Sequence, residues 1–435
     1  MRLDSLKGVF RATFDRQTLE QTAKDTGAFT RIRDIKPSDF LLSLLTGCCI
    51  GPQRSIAGAR RAYEHLSGAS IRPSAFDERL DTPGCVRWTW QLWTEQMARA
   101  NRATRRQWPT PMRELASVLL QDGTRMNVRV TAPFGSTHPE RSAVKMLGTL
   151  SLDHGTLLDA RFAAAVHHDH PLLRGRLVPG ALYLRDLGFY DHREFAAIDD
   201  AKSFLVSRLK FNAKPTIHQV FRGLPEQGLE GEELHGGLPY KPVVDVDARF
   251  RVESDLQGRI LRVVKVDVPA RDSRGRPTGE ILECWYVTNL PRDKFSAEMI
   301  YLLYCLRWAI ERYWRSCKPL ARLDHLNTGR ATVLWVFMAV SLLLQTLADQ
   351  ISAELRVMRM RSGISSEIVL ATVLEWWNEI VSWLRRSDGF EQIRWISFRN
   401  VLVYDSRHRY RTRPRRTEQL LHEIERRAQE RRVAA

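Results

Sequence analysis

Apolar and polar positions along the chain change period several times, and each change predicts a different kind of element. Residues 1 to about 110 read as helical: LLSLLTGCCI is a buried segment, and SIAGARRAYEHLSG is a helix ending near Gly68. Pro73 then opens a short helix that closes before Pro83 and Gly84. Helix, glycine-containing turn and helix are compatible with a helix-turn-helix, a spacing that also arises by chance in helical regions. Trp90 and Trp93 that follow are assigned to core packing.

The period shortens after residue 110. Ala116 to Leu120 form a short apolar strand ending at Asp122-Gly123-Thr124, and MLGTLSLDHGTLLDARFAA reads as an antiparallel hairpin turning at Asp153-His154-Gly155. Ala181 to Leu184 repeat the grammar, with Asp186, Gly188-Phe189 and a helix from His192 to Ile198 behind them. SFLVSRLK is the next strand and ends with Arg208 and Lys210. Alternation then dominates residues 211–290, in PVVDVDARFRVE, ILRVVKVDVPA and ILECWYVTNL. The fold class is α/β: a core at 111–210 and 291–350, interrupted by a β-rich insertion at 211–290, with helical regions at 1–110 and 351–435.

The stretch from Ser296 to Lys318 predicts one amphipathic helix. Ser296 is an N-cap, Glu298 sits in the first turn, and no Gly or Pro follows until Pro319. At about 100° per residue, Tyr304, Arg307, Glu311 and Lys318 fall within roughly 60° on the helical wheel. Met299, Leu303, Leu306, Ile310 and Cys317 form an adjoining apolar arc that buries the helix. One carboxylate able to hold a metal thus lies beside a hydroxyl and two cations able to hold a phosphate; the plainer reading is a surface helix with an Arg307/Glu311 pair.

Two more carboxylates raise the same question. A strand end is rigid, so Asp122 there can be fixed for metal binding, or it can be an Asp-Gly turn residue. Asp186 can be a ligand or a turn residue, with Asp191 as the helix N-cap beside it. His167, His168, Asp169 and His170 are metal-ligand types, but consecutive residues rarely converge on one ion, and they read as a polar loop.

Composition narrows the partners. Lys+Arg 67 against Asp+Glu 50 leaves +17, which favours a polyanion such as nucleic acid. The six cysteines include no C-x-x-C pair and read as reduced thiols. The N-terminus lacks the apolar core of a signal peptide, and the run Val333–Leu344 is short for a bilayer span, so it reads as a buried core helix. The expectation is a cytoplasmic, nucleoid-associated protein with no membrane role. The Arg-dense tail, helical from Thr417, reads either as a solvated end or as a phosphate-binding segment.

The order Y-x2-R-x3-E-x6-K at Tyr304, Arg307, Glu311 and Lys318 follows Asp122-Gly-Thr and Asp186-x-Gly-Phe. Together these resemble the YREK motif of bacterial insertion-sequence DDE transposases, the group usually called the IS-four family. The resemblance spans about residues 115–325 and implies a ribonuclease H-like core in which Asp122, Asp186 and Glu311 are catalytic and bind two Mg²⁺ ions, with Mn²⁺ as a substitute. It implies that Tyr304, Arg307 and Lys318, with Arg208 and Lys210, meet DNA phosphates, and that Trp285 in the insertion stacks on a displaced base. Its implied partners are double-stranded DNA, at element ends and at the target, and a second copy in a homodimeric synaptic complex. The N-terminal region would bind the element ends. Two other readings stand beside it: a metal-dependent nuclease without strand transfer, and a non-cutting DNA-binding regulator derived from a transposase.

Overall fold

The structure, a computed structural model, describes residues 3–32, 35–50, 55–102, 105–128, 143–164, 177–225, 228–234, 238–251, 256, 258–272, 276–324, 328–357, 364–385, 392–408 and 416–434. The His167–His170 run lies outside the described residues. Helices open the chain: α1 (Leu3–Thr13), α2 (Arg16–Asp25), α3 (Pro37–Leu44), α4 (Ile56–Ser67), α5 (Pro73–Leu80) and α6 (Pro83–Ala100). The core follows with β1 (Val118–Asn127), β2 (Ala143–Ser151), β3 (Thr156–Ala164), β4 (Leu182–Arg185), α7 (His192–Asp200) and β5 (Phe204–Arg208). Next come β6 (Thr216–Arg222), β7 (Val243–Arg249), β8 (Ile260–Arg271) and β9 (Pro277–Thr288). Helices close the chain: α8 (Ala297–Cys305), α9 (Trp308–Cys317), α10 (Ala331–Val357), α11 (Ser366–Glu375), α12 (Trp377–Arg385), α13 (Gln392–His408) and α14 (Arg416–Ala434).

The strands run in the order β3-β2-β1-β4-β5-β9-β8-β7-β6. β2 and β3 are antiparallel, β1, β4 and β5 are parallel, and β5 through β9, β8, β7 and β6 are antiparallel. An antiparallel hairpin followed by three parallel strands in the order 3-2-1-4-5 is a ribonuclease H-like core, and the strands of 211–290 extend it past β5.

Contacts divide the chain into two compact units. The first comprises Met1–Arg106, Gly123–His167 and Arg312–Arg415, the second Gln107–Asp122, His168–Glu311 and Arg416–Ala435. In the first, α10 is the buried axis. Trp93 Nε1 donates to Thr346 Oγ1 at 3.1 Å and Gln96 Nε2 to Gln350 Oε1 at 2.6 Å, so the few polar groups between α6 and α10 are paired. Trp90 meets Trp93 edge to face at 5.1 Å, as core indoles do. The helix outruns its predicted apolar segment: Ala331–Arg356 is long and apolar enough to cross a membrane by length and composition, and 83% of its most apolar window is buried in the protein.

In the second unit the core gathers on one face of the parallel strands. Leu119, Tyr183 and Leu205 alternate with their neighbours so that all three meet Phe195 and Ile198 of α7, and Val246, Val263, Trp285 and Val287 extend the cluster. The Asp191 side chain caps α7 by accepting the Arg193 N–H at 2.9 Å, and Ser296 caps α8 by accepting from Met299 at 3.3 Å.

Four predicted boundaries shift. β1 does not stop at Leu120: it runs through Asp122-Gly123-Thr124 to Asn127, because its other edge is bonded to β2 after β4 has ended. The helix predicted over 296–318 is two helices, since Leu306, Arg307, Ala309 and Ile310 all donate three residues back, to Leu303, Tyr304, Leu306 and Arg307. That tighter winding shifts the phase by about 20° per residue, so the single helical wheel does not hold across the turn. The amphipathic stretch around Trp376 is likewise broken into α11 and α12. Finally the tail is packed along one face of its helix: α14 belongs to the second unit, with Thr417, Leu421 and Ile424 buried while Gln419, His422 and Arg426 are exposed.

Candidate active site

Register builds the first half of the site. Gln121 of β1 pairs with Arg185 of β4, and Arg185 with Ser207 of β5. The next residues along, Asp122, Asp186 and Arg208, therefore stand level across three adjacent strands, Asp122 within β1 and the other two where β4 and β5 end. Arg208 in turn pairs with Tyr286 of β9. Arg185 Nε donates to Gln121 Oε1 at 2.7 Å, which fixes these two side chains on one face of the sheet. Alternation turns Asp122 and Asp186 to the other face, together with Arg208 and Tyr286.

The α8–α9 turn supplies the second half. Tyr304 donates its hydroxyl proton to Asp186 Oδ1 at 3.0 Å, and its ring packs on Tyr286 with centroids 4.9 Å apart. Burial pushes the Tyr304 phenol up and the Asp186 charge adds to this, against the pull of Arg307 and Arg208; the hydroxyl stays a donor at neutral pH. Arg307 projects from the turn itself. Its Nη2 holds Glu311 Oε1 at 2.7 Å, while its Nε lies 3.9 Å from Asp186 Oδ1, too far for a hydrogen bond. That Nε is buried and has no hydrogen-bond partner among the described residues. Burial lowers the Arg307 pKa, but Tyr304, the Asp186 and Glu311 carboxylates and the bond to Glu311 outweigh it, and the net shift is upward. The guanidinium thus stands as a cation between two carboxylates.

Asp122, Asp186 and Glu311 are hard oxygen donors of the kind divalent cations such as Mg²⁺ prefer, and all three are half-buried rather than sealed. The orphaned Arg307 Nε beside Asp186 marks a place for one more oxygen. These donors fit a divalent ion, with Asp122 and Asp186 as the preformed pair. Among the described residues, however, no three carboxylate, histidine or cysteine groups form a metal-binding cluster, and Glu311 is held by Arg307.

Other predicted residues lie elsewhere. Lys210 is not in the row: its ammonium sits 5.4 Å over the Tyr190 ring, on the α7 side. Trp285 faces the core opposite Tyr286, is 7% exposed, and meets Tyr240 edge to face at 5.0 Å. It presents no face on which a base can stack. Lys318 lies beyond the end of α9 in the first unit, its N–H closing the last turn on Trp314 O at 3.0 Å. Sequence reasoning missed Tyr286, the platform under Tyr304, and Arg185 with Gln121, the brace behind the aspartates. The signal for Tyr286 was parity: Trp285 and Val287 are apolar core positions, so the residue between them faces the site.

Residues 113–344 match a family model described as the transposase DDE domain. The transposase for insertion sequence element IS231F of Bacillus thuringiensis subsp. israelensis is 22% identical over 178 residues, 35% of this chain and 37% of that protein. The transposase for IS231B of Bacillus thuringiensis subsp. berliner is 26% identical over 178 residues, 34% of this chain and 37% of that protein. The chain therefore spans little more than a third of the length of these relatives. Among solved structures, the cryo-EM structure of the piggyBac transposase synaptic complex with hairpin DNA aligns with a TM-score of 0.44 at 11% identity, covering 91% of this chain and 85% of that one.

Proposed function

Because this chain belongs to the transposase DDE domain family, we propose that it cuts double-stranded DNA at the ends of an insertion element and joins the freed 3′-hydroxyls to target DNA. The observation that carries this reading is the level placement of Asp122 and Asp186 on parallel strands, with Tyr304 and Arg307 over Asp186. The family uses divalent metal ions; we assign two Mg²⁺ ions, replaceable by Mn²⁺, to Asp122, Asp186 and Glu311. When bound, such ions activate an oxygen nucleophile and stabilise the leaving oxygen.

The chain's own groups have separate tasks. Asp122, within β1, and Asp186, just past the end of β4, would hold the ions on rigid backbone. Tyr304 keeps the second oxygen lobe of Asp186 directed by its hydrogen bond. Arg307 offers its Nε to a phosphate oxygen, and an Arg307 turned to phosphate would leave Glu311 free to serve as a further metal ligand. Arg208, exposed in the same row, meets the backbone further along. In the first step water attacks phosphorus and the 3′-oxygen leaves with a proton; in the second that 3′-hydroxyl attacks a target phosphodiester and displaces another 3′-oxygen. Each step exchanges one P–O bond for another, so no external energy source is needed. Two copies acting on paired ends, in the cytoplasm where the chromosome lies, complete the proposal.

The test is incubation of the wild-type protein and Glu311→Gln with Mg²⁺ and DNA carrying the flanking ends of its own element. End cleavage with joined product, lost in the variant, is the expected result. Binding without cleavage would favour a non-cutting regulator, and cleavage without joining a nuclease.

A further inference from the structure

The last helix returns to the unit that holds the three acids. Although residues 312–415 belong to the first unit, α14 packs on α8 and on the short 3-10 turn Thr110–Met112 of the second. Thr417, Leu421 and Ile424, spaced to share one helix face, are buried there. Glu425 accepts hydrogen bonds from the Thr110 N–H at 2.6 Å and its hydroxyl at 3.0 Å, and these bonds hold its pKa below the usual range.

At its first residue α14 touches the active-site turn. The Arg416 guanidinium lies 5.7 Å from the ring of Trp308, the residue after Arg307, and the Arg307 guanidinium lies 5.9 Å from the same ring. Arg416 also acts electrostatically on Tyr301 and Cys305, so its charge covers the α8 side of the turn. Trp308 is 39% exposed, an uncommon setting for an indole, and both guanidinium groups lie within cation–π reach of its ring. A ring held by Arg416 gives Arg307 a fixed surface beside the turn.

We propose that α14 is an intramolecular strap over the α8–α9 turn, and that Arg416, acting through Trp308, is a positioning residue that keeps Arg307 and Glu311 turned toward Asp186. The role assigned to the turn rests on the transposase reading above; the strap itself does not. It stands beside the two expectations for the tail, a solvated end or a phosphate-binding segment. A phosphate contact and a positioning contact differ in what their loss does: the first weakens DNA binding, the second slows the bound complex.

The experiment compares full-length wild type with Arg416→Ala, Arg416→Lys, Trp308→Leu and the Arg416→Ala/Trp308→Leu double variant. Two readouts are taken: amide hydrogen exchange across residues 301–311 without DNA, and the single-turnover cleavage rate and Kd on end-bearing duplex with Mg²⁺. Arg416→Ala should speed exchange at the turn and slow cleavage roughly fivefold to tenfold, as expected for one cation–π contact, with Kd within about twofold. Arg416→Lys should keep most of the rate, and the double variant should be no slower than the slower single one. Unchanged exchange and rate would overturn the strap. So would an unchanged saturating rate with a weaker Kd and a flatter salt dependence, which mark a phosphate contact. Absence of cleavage by every protein, wild type included, alongside the expected exchange response would overturn the transposase reading and support the strap.

Discussion

Two buried arginines sit on opposite faces of the same strands. Arg185 donates to Gln121 and lies 3.3 Å from Glu194 of α7, enclosed on all sides at 1% exposure. Arg307 has the same kind of partners, a carboxylate at 2.7 Å and a second at 3.9 Å, but those side chains are 27% and 42% exposed. Burial dominates Arg185 and lowers its pKa despite Glu194, whereas Arg307 is raised because Tyr304 and the carboxylates of Asp186 and Glu311 outweigh its burial. The difference separates a brace from a working group. Arg185 locks β1 to β4 in the register that levels Asp122 with Asp186. Arg307 is surrounded by acids that solvent, and hence a phosphate or a cation, can reach.

Substitutions should break the pair apart, beginning with the acids the braces serve. Asp186→Asn should keep the fold and lower Mg²⁺-dependent cleavage by about 1000-fold or more, since the metal chemistry depends on it; circular dichroism together with a cleavage assay checks both halves. Arg185→Met should cost about 3–5 kcal/mol of stability in urea unfolding by leaving Glu194 buried and unpaired. The same change at Arg307 should cost about 1 kcal/mol, because its partners can hydrate, while cleavage is largely lost. Equal stability losses at the two sites would erase the distinction.

Tyr304→Phe removes one hydrogen bond to a carboxylate and should slow cleavage roughly 10- to 100-fold with DNA affinity unchanged. A buried acid in the other unit calibrates the contrast by pH. Burial raises Asp349 of α10 to about 7 from 3.8. Between those values the folded protein keeps a proton that the unfolded chain has lost, so this group's stability contribution is full below about pH 3.8 and is lost as pH rises through about 7. Asp349→Asn should therefore flatten the fall in stability between about pH 4 and 7; an unchanged slope would remove the buried acid as its source.

The sequence carried the strands and the acids more clearly than it carried their surroundings. Short apolar runs before Asp122 and Asp186 suffice to place both on strands of a ribonuclease H-like core, Asp186 just past the end of β4 as expected but Asp122 within a longer β1. The break at Leu306-Arg307 has no glycine or proline to announce it. It is a tertiary effect, accompanied by the Tyr304 bond to Asp186 and the Arg307 pair with Glu311. Trp285 is a base-stacking candidate by position alone, and the folded sheet instead turns it into the core against Tyr240. Arg185 looks like a polar strand end until its burial against Glu194 is seen. The docking of α14 was legible after all: Thr417, Leu421 and Ile424 recur at helical spacing beneath an Arg-rich surface that drew attention to charge alone.

The central claim is that Asp122, Asp186 and Glu311 hold divalent metal once Arg307 lets Glu311 go. Mn²⁺ titration followed by electron paramagnetic resonance tests it most directly, on wild type, Asp122→Asn, Asp186→Asn and Arg307→Met. The account predicts binding that weakens at least about tenfold in each aspartate variant and tightens without DNA in Arg307→Met, because removing the guanidinium frees Glu311. Equal Mn²⁺ affinity across all four proteins would contradict it.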